Sequence, residues 1–110
     1  MPFDFQALEL PGAFLIKPQV IGDDRGFFLE TYKESDFIAN GIGAQFVQDS
    51  YSQSASGILR GLHFQRGPKA QGKLVRVMRG EIFDVGIDIR EGSPTYGKSA
   101  VLTLAGDSKE

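Results

Sequence analysis

Through residues 81–90 the chain alternates. Phe83, Val85, Ile87 and Ile89 fall on one side of an extended segment, and Asp84, Gly86, Asp88 and Arg90 fall on the other with Ile82. This period of two predicts a strand. The preceding run, 73–78, is also strand-like, and Arg79-Gly80 between them reads as the turn of a hairpin. Further runs rich in Val, Ile, Phe and Tyr predict strands at 13–20, 26–32, 46–52, 58–65 and 98–104. Only one stretch has helical character: Ser35 as N-cap, then Asp36-Phe37-Ile38-Ala39, with Asn40-Gly41 suited to the stop.

The expected class is therefore all-β, a jelly-roll β-sandwich or barrel rather than a parallel α/β sheet. The 14 Gly and 5 Pro that punctuate the chain agree with short strands and frequent turns. A jelly roll closes with about eight strands. Roughly seven are predicted before the polar residues 106–110, so the architecture is expected to be incomplete at the C-terminus.

Length and charge narrow the picture. A chain of 110 residues supports one domain, taken as 1–110, with one modest core. Twelve basic against fourteen acidic residues give a net charge of −2, which supplies no bulk attraction to nucleic acid or anionic membrane. No apolar stretch is long enough for a transmembrane helix, and Met1-Pro2-Phe3-Asp4 lacks the features of a secretory signal, so a cytoplasmic protein is expected. With no Cys there is no disulfide, thiolate metal site or cysteine nucleophile. With one His, no site can draw two imidazoles from one chain.

Candidate chemistry concentrates in Gly57-Ile58-Leu59-Arg60-Gly61-Leu62-His63-Phe64-Gln65 and Gln71-Gly72-Lys73. On an extended strand, His63 and Gln65 share a face as a polar pair among apolar neighbours. His63 is either a base lining a barrel interior or a structural histidine with satisfied hydrogen bonds. Lys73, two and four residues before Val75 and Val77, either points inward to hold an oxyanion or snorkels to water from a strand end. Arg25 and Arg60 belong to Arg-Gly dipeptides that read as turns and bulges, and both are free to bind an anion. Neither a phosphate loop nor a dinucleotide fingerprint is present. Gly57, His63 and Gln65 resemble the first cupin motif with its second histidine replaced by glutamine, so the cupin shape is expected without its metal.

The longer motifs carry a closer resemblance. They are 24–30, 46–50, Arg60-Gly61-Leu62-His63-Phe64-Gln65, Gln71-Gly72-Lys73-Leu74-Val75-Arg76-Val77, 80–85 and 88–97, in that order. Together they are similar to the dTDP-4-dehydrorhamnose 3,5-epimerase family. The resemblance implies a homodimeric, cupin-like jelly roll without metal or other cofactor, acting on dTDP-4-dehydro-6-deoxy-D-glucose in dTDP-rhamnose biosynthesis. It makes His63 the general base and places Lys73 and Arg60 around the sugar ketone and the phosphates. Arg25, Glu30, Gln48, Asp49 and Ser50 fall on substrate-binding motifs, with 25–30 lent to a partner subunit by strand exchange.

Two features depart from the family pattern. Ser50 and Tyr51 stand where the family usually has Asn and often has His. The family's tyrosine acid and the aspartate that orients its histidine lie beyond the matched motifs, and none of Tyr32, Tyr51 and Tyr96 falls in the acid motif. Three other readings stay open: a non-catalytic sugar-nucleotide-binding module, a relative acting at C3 or C5 alone, and a metal-dependent cupin completed by carboxylates of a partner chain.

Overall fold

The structure, a computed structural model, describes residues 2–110. Its elements are β1 (Phe3–Ala7), β2 (Phe14–Pro18), β3 (Ile21–Asp23), β4 (Gly26–Phe28), α1 (Glu34–Ala39), a single 3-10 turn (Gly67–Lys69), β5 (Glu81–Ile87) and β6 (Ser99–Ala105). The strands pair as three antiparallel two-stranded sheets, β1–β2, β3–β4 and β5–β6. The chain divides into two units: residues up to Gly43 together with Val75–Glu110, which hold every strand and α1, and Ala44–Leu74, which holds only the 3-10 turn.

The core of the first unit grows from β1 and α1. Phe3 and Phe5, two apart on β1, point to one side. Phe37 of α1, completely buried, sits against both rings and against Tyr32, with centroids at 5.2, 5.1 and 4.7 Å in edge-on contacts. Such geometries suit the quadrupole of an aromatic ring. The helix begins one residue earlier than predicted. Lys33 occupies the N-cap without a side-chain bond, and Ser35 lies inside the first turn. Its end follows expectation: Asn40 Nδ2 donates to the Asp36 carbonyl at 2.8 Å, and Gly41 takes φ 92°, a conformation glycine adopts freely.

The hairpin β5–β6 runs in continuous register from Glu81↔Ala105 to Ile87↔Ser99. At its open end the Gly106 amide donates to the Gly80 carbonyl at 2.9 Å, and a Cβ at Gly106 would lie 2.7 Å from the Met78 carbonyl oxygen. Only glycine fits there. The two faces of this hairpin are buried in the opposite sense to their polarity. Leu104, Leu102 and Ala100 lie on the inner side with Asp84 and Gly86, whereas Phe83, Ile87 and Val101 on the other side are exposed. Beyond β5, the buried Asp88 organises the loop to β6. Its carboxylate accepts from the amide, Nε and Nη2 of Arg90 at 3.0 Å each, and from the Ser93 and Thr95 hydroxyls at 2.5 Å.

Several expected strands are absent. Residues 46–52, 58–65 and 73–78 form no ladder, and β5 pairs with β6 instead of with 73–78. The segment 26–32 is shortened to β4. Conversely, β1 and β3 were not anticipated. Strand propensity describes a residue that fits a pleated surface, and it needs a partner strand to be realised. Within 58–65 the run is also interrupted by Gly57 at φ 82° and Gly61 at φ 130°, which bracket Ile58-Leu59-Arg60 and break the two-residue alternation.

Candidate functional site

The candidate residues divide between the two units. Gln48, Asp49, Ser50, Arg60, His63 and Lys73 lie in Ala44–Leu74, and Arg25 and Glu30 lie in the strand-bearing unit. All eight are exposed.

Arg25 is the most firmly held. It occupies the turn between β3 and β4, and its backbone amide donates to Asp23 Oδ1 at 2.9 Å. Its Nε donates to Oδ1 and Oδ2 at 3.3 and 3.2 Å, and its Nη2 donates to Oδ2 at 2.6 Å. This paired fork lowers the Asp23 carboxyl below its usual range and raises Arg25 above its own. Asp23 occupies the Nε–Nη2 edge of the guanidinium and leaves Nη1 open to an anion. The sequence reading did not single out Asp23; its place two residues before Arg25 in a tight turn is the signal that identifies such a carboxylate–guanidinium pair. Glu30 follows β4 and lines a shallow groove of about 240 Å³ with Gln19, Ile21, Phe28 and Lys33.

In Ala44–Leu74, Arg60 Nη2 donates to the Gln53 carbonyl at 3.3 Å, and Gln48 Nε2 reaches the Ser50 hydroxyl at 3.5 Å. His63, Lys73 and Asp49 have no hydrogen bond or ion pair among the described residues. The expectation that His63 lines a barrel interior is therefore corrected: without a ladder through 58–65 there is no sheet face to turn it inward, and the imidazole meets solvent. The expected inward lysine is likewise exposed. A neutral imidazole with both nitrogens unengaged can take a proton, and an unpaired ammonium can hold a developing oxyanion. Among the described residues there is no group of three or more His, Cys, Asp or Glu side chains arranged to hold a metal ion, and no helix long and apolar enough to cross a membrane.

Comparison with known proteins agrees with the motifs. The family model for dTDP-4-dehydrorhamnose 3,5-epimerase matches residues 7–110. The dTDP-4-dehydrorhamnose 3,5-epimerase of Methanothermobacter thermautotrophicus is 51% identical over 107 residues, covering 97% of this chain and 57% of its own length. Among solved structures, the Bacillus anthracis dTDP-4-dehydrorhamnose 3,5-epimerase with TDP and PPi bound superposes with a TM-score of 0.92 at 41% identity, over 97% of this chain and 62% of that one. The dTDP-6-deoxy-D-glucose-3,5-epimerase of Legionella pneumophila Philadelphia 1, in complex with dTDP-4-keto-L-rhamnose, gives 0.89 at 41% identity, over 97% of this chain and 57% of that one.

The chain thus spans somewhat more than half the length of the relatives it matches. These likenesses give it the cupin-like β fold of those enzymes. Motifs, family model and backbone agree: this chain belongs to the dTDP-4-dehydrorhamnose 3,5-epimerase family.

Proposed function

We propose that this protein serves as a dTDP-4-dehydrorhamnose 3,5-epimerase, an isomerase that converts dTDP-4-dehydro-6-deoxy-D-glucose to dTDP-4-dehydro-L-rhamnose. The observation that carries the reading is the family match across 7–110, which includes Arg60-Gly61-Leu62-His63-Phe64-Gln65 and Lys73. The protons on C3 and C5 flank the C4 ketone, so each is acidic to the extent that the enolate is stabilised. His63 removes them as neutral imidazole, and Lys73 holds the oxyanion that forms on the ketone oxygen. Return of a proton to the opposite face of the same carbon inverts it, with no redox change and no metal.

Arg60 and Arg25 bind the diphosphate through charge-assisted hydrogen bonds, and Gln48, Asp49, Ser50 and Glu30 position the nucleotide sugar. The domain is read as 1–110 and the working form as a cytoplasmic homodimer in which the β3–β4 hairpin is lent to the partner. Exposure of Ile21, Phe27 and Phe28 on that hairpin supports such an exchange.

The test is solvent exchange in D2O with the dTDP-4-dehydro sugar, with the position of deuterium read by NMR. Incorporation at C3 and C5, falling by about 10²–10⁴-fold in His63→Ala, is expected. Incorporation unchanged in the variant removes His63 from the role of base.

Full exposure of His63 and Lys73 favours a second reading, a sugar-nucleotide-binding module without turnover, because a base working in open water lacks the dry surroundings that strengthen its electrostatics. Calorimetric binding of dTDP with no deuterium incorporation selects this alternative.

A further inference from the structure

The segment Ala44–Leu74 has strand-like sequence and no strand. Its backbone–backbone hydrogen bonds among the described residues are all local: Ile58 to Ala55, Lys69 to Arg66 and Ala70 to Gly67. Apart from Phe46, every residue in it is exposed, including Val47 at 91%, Leu59 at 92%, Leu62 at 68% and Phe64 at 65%. Peptide groups with no ladder partner, interleaved with uncovered aliphatic and aromatic side chains, are the two requirements for accepting an added strand: main-chain bonds supply affinity and alternate side chains supply specificity. The path is already in place, since 97% of this chain superposes at a TM-score of 0.92 on a relative of which it spans only 62%.

We propose that Ala44–Leu74 is a preformed docking surface for β-strands of another polypeptide, one corresponding to the length of the family's enzymes that this chain does not match. Charge separates this occupant from a second copy of the same segment. Four basic residues (Arg60, Arg66, Lys69 and Lys73) face one acidic residue, Asp49, so two copies of the segment laid together set like charges against each other. The surface therefore selects strands that alternate apolar with neutral or acidic residues. Occupation turns the open side of His63 and Lys73 into a walled site.

The probe is the unmatched part of the Methanothermobacter relative, co-expressed with the 110-residue chain. A 1:1 complex in light scattering, with amide hydrogen exchange through 46–52 and 58–65 slowed by about tenfold or more, is expected. Val47→Asp and Leu59→Asp weaken the complex by about tenfold or more while leaving the melting of the free chain unchanged, because both side chains are already in solvent. Three results overturn the proposal: no complex, a complex in which 44–74 exchanges as in the free chain, or equal protection of 44–74 by self-association of the chain alone. None of these readouts involves turnover, so a complex without epimerisation counts against the proposed activity and leaves the docking surface standing.

Discussion

Asp88 shows how much one residue organises. Its side chain is fully buried, yet it keeps its charge because five donors from Arg90, Ser93 and Thr95 converge on two oxygens. Those bonds hold its carboxyl far below the usual range, with Arg90 as the largest cause. A depressed carboxylate stabilises the fold fully above its unfolded pKa, about 3.9, and loses that contribution as the pH falls toward the folded value. The melting temperature is therefore expected to drop more steeply on acidification from about pH 6 to about pH 3 in the native chain than in Asp88→Asn, so that the gap between them narrows. A gap that stays constant with pH removes the carboxylate charge as the cause. The sequence displayed Asp88 and Arg90 on one side of an alternating strand, but nothing local marked the carboxylate as the buried one. His63 is the converse: its identity was legible from its motif, and its exposure was not.

Among the elements, legibility followed local chemistry. The alternation through 81–90 and 98–104 predicted β5 and β6 because it extends over a whole strand, and Asn40-Gly41 marked the end of α1 because few residues suit that geometry. Phe37 ties the helix to β1. Phe37→Ala removes a ring with no exposed surface that touches three others, and is expected to cost about 3–5 kcal/mol in denaturant unfolding. At the base of β5–β6 the limit is space. Gly106→Ala sets a methyl 2.7 Å from the Met78 carbonyl oxygen and 3.0 Å from the Arg79 backbone, and is expected to destabilise by about 1–3 kcal/mol in the same measurement. A neutral effect means that the 78–80 turn gives way. The runs at 46–52, 58–65 and 73–78 were misread because composition reports the capacity to pair, while a ladder needs a neighbour brought from far along the chain.

For the whole molecule the decisive feature is apolar surface left open. Phe28 on β4, Phe83 and Ile87 on β5 and Val101 on β6 are all exposed, more than a stable monomer ordinarily tolerates in one small chain. Light scattering is expected to show a dimer or larger species, and Phe28→Glu to shift it toward monomer with little change in melting. A sharp monomer in the native chain contradicts the proposed strand exchange. The sequence by itself determined the family, the all-β class and the identity of the chemistry-bearing residues, because motifs and period-two alternation are properties of neighbouring residues. Only the tertiary structure decided which face of β5 is buried, that Asp23 holds Arg25, and that His63 and Lys73 stand in solvent. Burial and pairing depend on contacts between residues distant in the chain, and no local pattern encodes which of two plausible faces or partners those contacts select.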